Sequence, residues 1–139
     1  LLYDAQKMWT KSDMLYEELI KSDSTDAQAL NNYAYSLAER KYNLQYALEM
    51  SKKALKIDSE NSAYLDTIGW IYLKLSENNL AREFITRSIE IDKTNAVVLE
   101  HLGDVLTQIK NFEEARLIYK QALELDQSNE SLKKKVYSE

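Results

Sequence analysis

The sequence repeats itself every 34 residues, and this period limits the possible folds more than any other feature. The tetrapeptide Asp-x-x-Asn occupies residues 58–61, 92–95 and 126–129, and a looser copy lies at residues 22–26. Apolar residues after each copy recur at positions i, i+3, i+4 and i+7, which is the spacing of one face of an α-helix. A helical pattern with such a period predicts consecutive copies of one small structural unit.

Each copy contains two helical segments separated by a short turn. The second segments align through small residues, among them Ala47, Ala81 and Ala115. The first copy needs one extra residue in its loop at 41–43. The predicted helices cover residues 27–40, 62–75 and 96–109 for the first segment and residues 45–57, 79–91 and 113–125 for the second.

Turn chemistry agrees with a helical fold. The chain has two glycines and no proline among its 139 residues. Hairpin-rich β folds depend on Gly and Pro in their turns. A chain nearly without them must turn at Asp, Asn and Ser, which lie here between the helical segments. We therefore predict an all-α fold.

The Asp-x-x-Asn motifs could be cation sites or helix boundaries. Their Asp residues lie where a second helix is predicted to end, and their Asn residues directly precede the next helix. Asn is a strong N-cap because its side-chain oxygen accepts a hydrogen bond from an otherwise unpaired backbone N–H. A calcium-binding EF-hand loop would also need further acidic ligands, a central Gly and a closing Glu, and these are missing. We interpret the motifs as helix boundaries and predict no metal site.

Composition excludes several classes of function. The net charge is −5 and the only basic run, at 133–135, is short, which argues against a nucleic-acid surface. We interpret that run as the solvated end of a last helix. There is no cysteine for a disulfide or a zinc site. No apolar run approaches the roughly 18 residues of a membrane span, and no residue pattern points to a cofactor.

Catalytic residues are scarce. The single histidine, His101, is preceded by Glu100 and followed one helical turn later by Asp104. A His–Asp pair could orient a general base, but no activated serine or glycine elbow accompanies it. We interpret His101 as a polar residue of a helix surface, and an enzyme or metal-binding protein ranks third among the functions considered.

The repeated residues resemble the tetratricopeptide repeat (TPR), whose pattern is W-x2-L-G-x2-Y…A-x3-F…P over 34 residues. The third copy is similar to the second, and the first departs from the pattern with Ala34 for Gly and with Ser51 in the last column. The closing Pro is replaced by Ser59, Lys93 and Gln127. The residues that carry the resemblance in the second copy are Leu65, Ile68, Gly69, Tyr72, Ala81 and Ile85.

The resemblance implies a right-handed α-solenoid of antiparallel helix pairs, built as a single domain over residues 1–139. It would contain a partial repeat at 1–26, with residues 1–5 as the end of a first helix, and a capping helix at 130–139. The expected full repeats are residues 27–61, 62–95 and 96–129. The pattern is similar to TPR proteins of bacteria, or to a fragment of one, and leaves cytoplasm and cell envelope both open.

In the family, the first helix of each repeat lines a concave groove, so the resemblance also implies a binding face. Tyr35 and Trp70 are candidate anchors, because Tyr and Trp are enriched among binding hot spots. Alternatively, Trp70 packs against the neighbouring repeat, and it could contact Tyr35. The predicted partner-binding residues are Asn31, Tyr35, Asp66, Trp70, Leu73, Lys74, Glu100, His101, Asp104 and Gln108.

Some members of the family hold the C-terminal carboxylate of chaperone peptides with Lys, Asn and Arg. None of the nearest positions here is Lys or Arg; they carry Asn31, Tyr35, Thr67, Val97 and His101. Three acidic residues instead make this surface acidic, which predicts a basic or neutral partner segment, because like charges repel across an interface. These residues are Asp66, Glu100 and Asp104.

We therefore predict a non-catalytic protein–protein interaction scaffold that binds a protein or peptide segment in its concave groove. Neither nucleic acid nor a membrane span is expected. The alternative is a self-assembling module whose repeat ends associate. In that case the exposed flank carrying Leu15, Tyr16 and Leu19 would form the contact, and the protein would be a homo-oligomer.

Overall fold

The computed structural model describes residues 2–138, with the side chains of residues 8–138, and this part of the chain forms eight α-helices. The predicted all-α fold is confirmed, and the six predicted repeat helices lie within one residue of their expected bounds. The helices are α1 (Leu2–Ser22), α2 (Ala27–Glu39), α3 (Leu44–Ile57), α4 (Ser62–Lys74), α5 (Asn78–Ile91), α6 (Ala96–Gln108), α7 (Phe112–Leu125) and α8 (Glu130–Tyr137).

The chain divides into two compact units, Leu1–Ser59 and Glu60–Glu139, which we call the N-terminal and the C-terminal unit. In the N-terminal unit, α2 pairs with α3, and α1 packs against α2. In the C-terminal unit, α4 pairs antiparallel with α5, and α6 with α7, while α8 packs on α7. Among the described residues, no helix combines the length and apolar character needed to cross a lipid bilayer. The proposed single domain and its repeat boundaries remain predictions.

The Asp-x-x-Asn motifs are helix boundaries, as predicted. The side-chain oxygens of Asn61, Asn95 and Asn129 accept hydrogen bonds from backbone N–H groups in the first turns of α4, α6 and α8, at 3.0–3.4 Å. Asp92 is the C-cap of α5, and its Oδ1 accepts from both the backbone N and the Oγ1 of Thr94 at 2.9 and 2.7 Å. These hydrogen bonds lower the pKa of Asp92. The side-chain oxygens of these motifs therefore accept hydrogen bonds from nearby groups of the same chain.

Helix α1 differs from the sequence expectation. Residues 1–5 were expected to end a separate first helix, but α1 continues without a break from Leu2 to Ser22. The reason is local: Ala5-Gln6-Lys7-Met8 contains no Gly, Pro or capping residue, and all four are good helix formers. Nothing in this stretch ends a helix.

Close contact between paired helices depends on a small residue at one column of each first helix. A Cβ atom added at Gly103 would lie 2.3 Å from Cε1 of Tyr119, and one added at Gly69 would lie 2.5 Å from Cγ1 of Ile85. In the first repeat the column carries Ala34, which is fully buried. Glycine in a helix interior costs about 1 kcal/mol relative to alanine, and here it allows the two helices to approach each other.

Candidate functional site

The N-terminal unit holds two of the predicted partner-binding residues, both on α2. Asn31 is buried, and its side-chain oxygen accepts no hydrogen bond within the described residues. Tyr35 lies one helical turn further along α2 and is half-buried. The predicted contact between Tyr35 and Trp70 would join the two units and remains a prediction.

In the C-terminal unit, α4 and α6 meet through a buried polar pair. The Nδ1 atom of His101 lies 2.9 and 3.1 Å from the two carboxylate oxygens of Asp66. The carboxylate can only accept, so Nδ1 carries the hydrogen and donates it. Only 6% of Asp66 and 5% of His101 is exposed. The structure therefore places His101 in the interior, whereas the sequence suggested a helix surface.

Trp70 lies beside this pair. Its indole stacks on the ring of His101 with a centroid distance of 4.1 Å and an interplanar angle of 20°. The Nζ atom of Lys74, one turn further along α4, lies 4.0 Å from the Trp70 ring centroid, which is within the range of a cation–π interaction. Trp70 thus packs on the neighbouring helix pair and still keeps part of its surface exposed.

A second charged cluster joins α6 to α8. The ammonium group of Lys135 donates to Oε2 of Glu100 at 2.6 Å and to Oδ1 of Asp104 at 2.9 Å. Asp104 also accepts a 2.6 Å hydrogen bond from the hydroxyl of Tyr119. Burial raises the pKa of Tyr119 far above its usual value, and the bond to Asp104 adds to this effect. Burial disfavours the charged form of Lys135, but its bonds to the two carboxylates outweigh that and raise its pKa.

The two clusters follow the repeat. Asp66 and Glu100 are 34 residues apart, as are His101 and Lys135, so the acid on α4 pairs with a base on α6, and the acid on α6 pairs with a base on α8. Sequence reasoning missed Lys135, because it interpreted the basic run as solvated. The signal was available, since Lys135 occupies the column of His101. Lys135 thus partly neutralises the acidic surface that the sequence predicted.

The remaining predicted residues differ in their surroundings. Leu73 is buried. Gln108 is exposed, and its Nε2 donates to Oδ1 of Asn78 at 2.7 Å. The structure brings together one group at α4 and α6 and a second group at α6 and α8, and their assignment to a binding site stays a prediction. The first group is Asp66, Trp70, Lys74 and His101, and the second is Glu100, Asp104 and Lys135.

Neither of the two clusters forms a metal site. Within residues 8–138 there is no group of three or more His, Cys, Asp or Glu side chains that could hold a metal ion together. The carboxylates of both clusters are engaged by bases and by a tyrosine hydroxyl. The two clusters therefore present the partly exposed ring of Trp70 with fixed polar groups around it.

Comparisons with known proteins agree with the repeat. The family model described as "Tetratricopeptide repeat" matches residues 63–95 and 96–129. Among curated proteins, none matches this chain at a significant level. Solved structures share the fold at low sequence identity. MamA aligns with a TM-score of 0.77 and 15% identity, over 96% of this chain and 77% of that chain.

Two other structures align with most of the chain. The first TPR of Spaghetti (RPAP3), solved with the HSP90 peptide SRMEEVD, has a TM-score of 0.73 and 18% identity over 82% of this chain and 90% of its own. YrrB, described as a TPR protein with an unusual peptide-binding site, has a TM-score of 0.72 and 21% identity over 87% of this chain and 62% of its own. The family model thus matches two consecutive repeats, and solved structures of tetratricopeptide repeat proteins share the fold of the chain, so this chain carries tetratricopeptide repeats.

Proposed function

We propose that this chain binds a peptide segment of a partner protein along the face of the C-terminal unit that α4 and α6 form, with Trp70 as the anchor. The observation that carries the proposal is the setting of Trp70. The ring is large and partly exposed, and it is held by the stack on His101 and by Lys74. A rigid aromatic side chain of this kind loses little entropy on binding, and Trp is the residue most enriched among hot spots.

Solved relatives support peptide binding. The first TPR of Spaghetti binds the peptide SRMEEVD, and the second TPR of human RPAP3 binds the HSP70 peptide SGPTIEEVD. Both peptides end in the sequence Glu-Glu-Val-Asp, which is strongly acidic. The present chain shares their fold at low sequence identity. We therefore carry over peptide binding to this chain, but not the acidic character of those two peptides.

We propose a basic or neutral segment as the partner. Glu100 and Asp104 share the single ammonium group of Lys135, so this cluster keeps a net negative charge. A cationic side chain of a partner would complete that balance, whereas an acidic tail would be repelled.

The buried pair positions the anchor. Asp66 holds the ring of His101 through Nδ1, and His101 supports one side of the Trp70 indole. We therefore assign Asp66 and His101 a positioning role. Direct contacts with the partner fall to the more exposed residues Trp70, Lys74 and Gln108 and to the carboxylates of Glu100 and Asp104.

The proposal predicts a selective effect of Trp70→Ala on binding. Peptides from a phage-displayed random library are selected on the parent protein, and the best one is titrated against purified variants. Loss of the anchor should weaken binding about tenfold or more. The matched control is Leu117→Ala, an exposed apolar residue on the second helix α7, which should leave binding unchanged.

The unfolding free energy of each variant is measured in parallel by urea denaturation. Trp70→Ala binding the selected peptide as tightly as the parent would remove Trp70 from the site. If Trp70→Ala lowers the unfolding free energy by several kcal/mol, as expected for a core residue, and this loss accounts for the weaker binding, Trp70 is also removed from the site.

A second candidate function is self-association through α1. Met8, Leu15 and Leu19 are spaced along one stripe of this helix, and all three are exposed, with 57% of Leu15 accessible. They share a shallow cleft with Lys11, Ser12 and Tyr16. An apolar stripe of this size marks a possible contact between two copies.

For this candidate we expect sedimentation to show dimers that dissociate in the variant Leu15→Glu, because a charge in an apolar interface is costly to bury. The matched control is Leu117→Glu, which changes an equally exposed leucine outside the stripe. A monomeric parent, or dimers that survive Leu15→Glu, would contradict the candidate.

A further inference from the structure

Arg40, at the C-terminal end of α2, lies between two aromatic rings of the N-terminal unit. Its Cζ atom is 4.7 Å from the ring centroid of Trp9 on α1 and 5.6 Å from that of Tyr42 in the loop after α2. The guanidinium donates to Oδ1 of Asp13 at 2.7 Å and, through Nε, to the carbonyl of Ser36 at 3.3 Å. The arginine is therefore held in one position by four different contacts.

The extra residue of the first repeat lies in this loop. The loops at 75–77 and 109–111 each contain one residue with a positive φ angle, Ser76 and Lys110, whereas the loop at 40–43 is one residue longer and contains two, Lys41 and Asn43. Left-handed backbone is unfavourable for a lysine. The backbone N of Tyr42 between them donates to the carbonyl of Leu37 at 2.9 Å. The backbone N–H groups of Glu77 and Asn111 make the same hydrogen bond in the two shorter loops, so Tyr42 takes their place beside Arg40 and the extra residue is Asn43.

The resulting cleft is aromatic and balanced in charge. It has a volume of about 630 Å³ and is lined by Trp9, Thr10, Asp13, Arg40 and Tyr42. The two rings remain open to solvent, with 42% of Trp9 and 60% of Tyr42 exposed. Arg40 and Asp13 neutralise each other in their ion pair. A strongly charged ligand would gain attraction from one of them and repulsion from the other.

We propose that this cleft binds a proline-rich segment in the polyproline II conformation. Such segments dock into grooves lined by Trp and Tyr, and they carry no charge that the cleft would have to compensate. Because Cζ of Arg40 is 4.7 Å from one ring centroid and 5.6 Å from the other, the two centroids are at most about 10 Å apart. Prolines three residues apart in a polyproline II helix are separated by about 9 Å and lie on one edge. One proline can stack on Trp9 and the next on Tyr42.

Hydrogen-bond donors for the segment are available at the same place. The carbonyl groups of a polyproline II helix have no internal partners and need donors. Within the described residues Arg40 uses two of its five N–H groups, and the others can donate to a bound carbonyl. The ion pair with Asp13 keeps the guanidinium in place, so little entropy is lost when the segment binds.

The test is a titration of the whole chain with a capped, fluorescein-labelled decaproline peptide, followed by fluorescence anisotropy. A capped Gly-Ser peptide of equal length is the reference ligand. We expect saturable binding of decaproline only, with an affinity that changes less than about twofold between low salt and 0.5 M salt, since no net charge is involved. Tyr42→Ala should weaken binding about fivefold or more, and Tyr42→Phe should retain it because the ring remains.

The matched control is Tyr137→Ala, which removes a more exposed tyrosine from α8; it should bind decaproline as the parent does. Tyr42 lies in an exposed loop, so the helical circular dichroism of its variants should equal that of the parent. Equal affinity of parent and Tyr42→Ala, or no preference for decaproline over the Gly-Ser peptide, would overturn the proposal. Salt-sensitive binding of a capped polyglutamate peptide in place of decaproline would also overturn it, since Arg40 would then recognise an anion.

Discussion

Replacing His101 with leucine should lower the free energy of unfolding by about 3 kcal/mol or more. The substitution leaves the carboxylate of Asp66 buried at 6% exposure without its hydrogen-bond partner. It also removes the ring on which Trp70 stacks at 4.1 Å. An unpaired buried charge is far more costly than the loss of an exposed ion pair, so this single change ranks among the most destabilising in the C-terminal unit.

The double variant Asp66→Leu/His101→Leu should recover much of the loss, because two apolar side chains of similar volume need no partner. The matched control is Lys135→Leu, which removes the base from the same column one repeat later. Lys135 is about one-third exposed, so its replacement should cost only about 1 kcal/mol. Urea denaturation measures all four proteins. A cost for His101→Leu no greater than that of Lys135→Leu would show that the buried pair contributes little.

Gly103→Ala should also destabilise the protein, by about 2 kcal/mol. Alanine has a better helix propensity by about 1 kcal/mol, but its methyl group would lie 2.3–2.8 Å from three ring atoms of Tyr119. That ring cannot easily move, because its hydroxyl donates to Asp104 at 2.6 Å and lies 3.2 Å from Oγ1 of Thr107. Overpacking of this severity typically costs 1–3 kcal/mol.

A double-mutant cycle with Tyr119→Leu separates the clash from other effects. In the Tyr119→Leu background the added methyl has room, so Gly103→Ala should become neutral or stabilising. The first repeat already has this combination of small residues, with Ala34 in the glycine column and Ser51 in the column of Tyr119. If Gly103→Ala stabilises the parent protein, the two helices have room for a side chain and the packing argument is wrong.

The helices and their ends follow from local features of the sequence. The apolar spacing predicted α4 and α6, which begin at Ser62 and Ala96 as expected. Asn61 and Asn95 act as N-caps because a cap needs only a side-chain oxygen beside the next two or three backbone N–H groups. The same local reasoning explains α1, since nothing between residues 5 and 8 can end a helix.

The columns of the candidate site were predicted, but their pairing was not. Asp66, Glu100 and Asp104 lie on the first helices as the repeat implied. Their basic partners lie two helices further along the chain, 31 or 35 residues later. Column positions alone do not show which side chains meet. For this reason the sequence suggested an open acidic surface. The structure shows instead that one carboxylate pairs with His101 and that the other two share Lys135.

Local sequence features therefore specify the helices, their caps and the repeat, since hydrogen bonds and side-chain spacing within a few residues control these features. Tertiary packing is what buries His101 and brings Arg40 close to both Trp9 and Tyr42. Burial and pairing depend on which helices pack together and on the distances between side chains far apart in the chain. A periodic pattern specifies the helices and leaves those distances open.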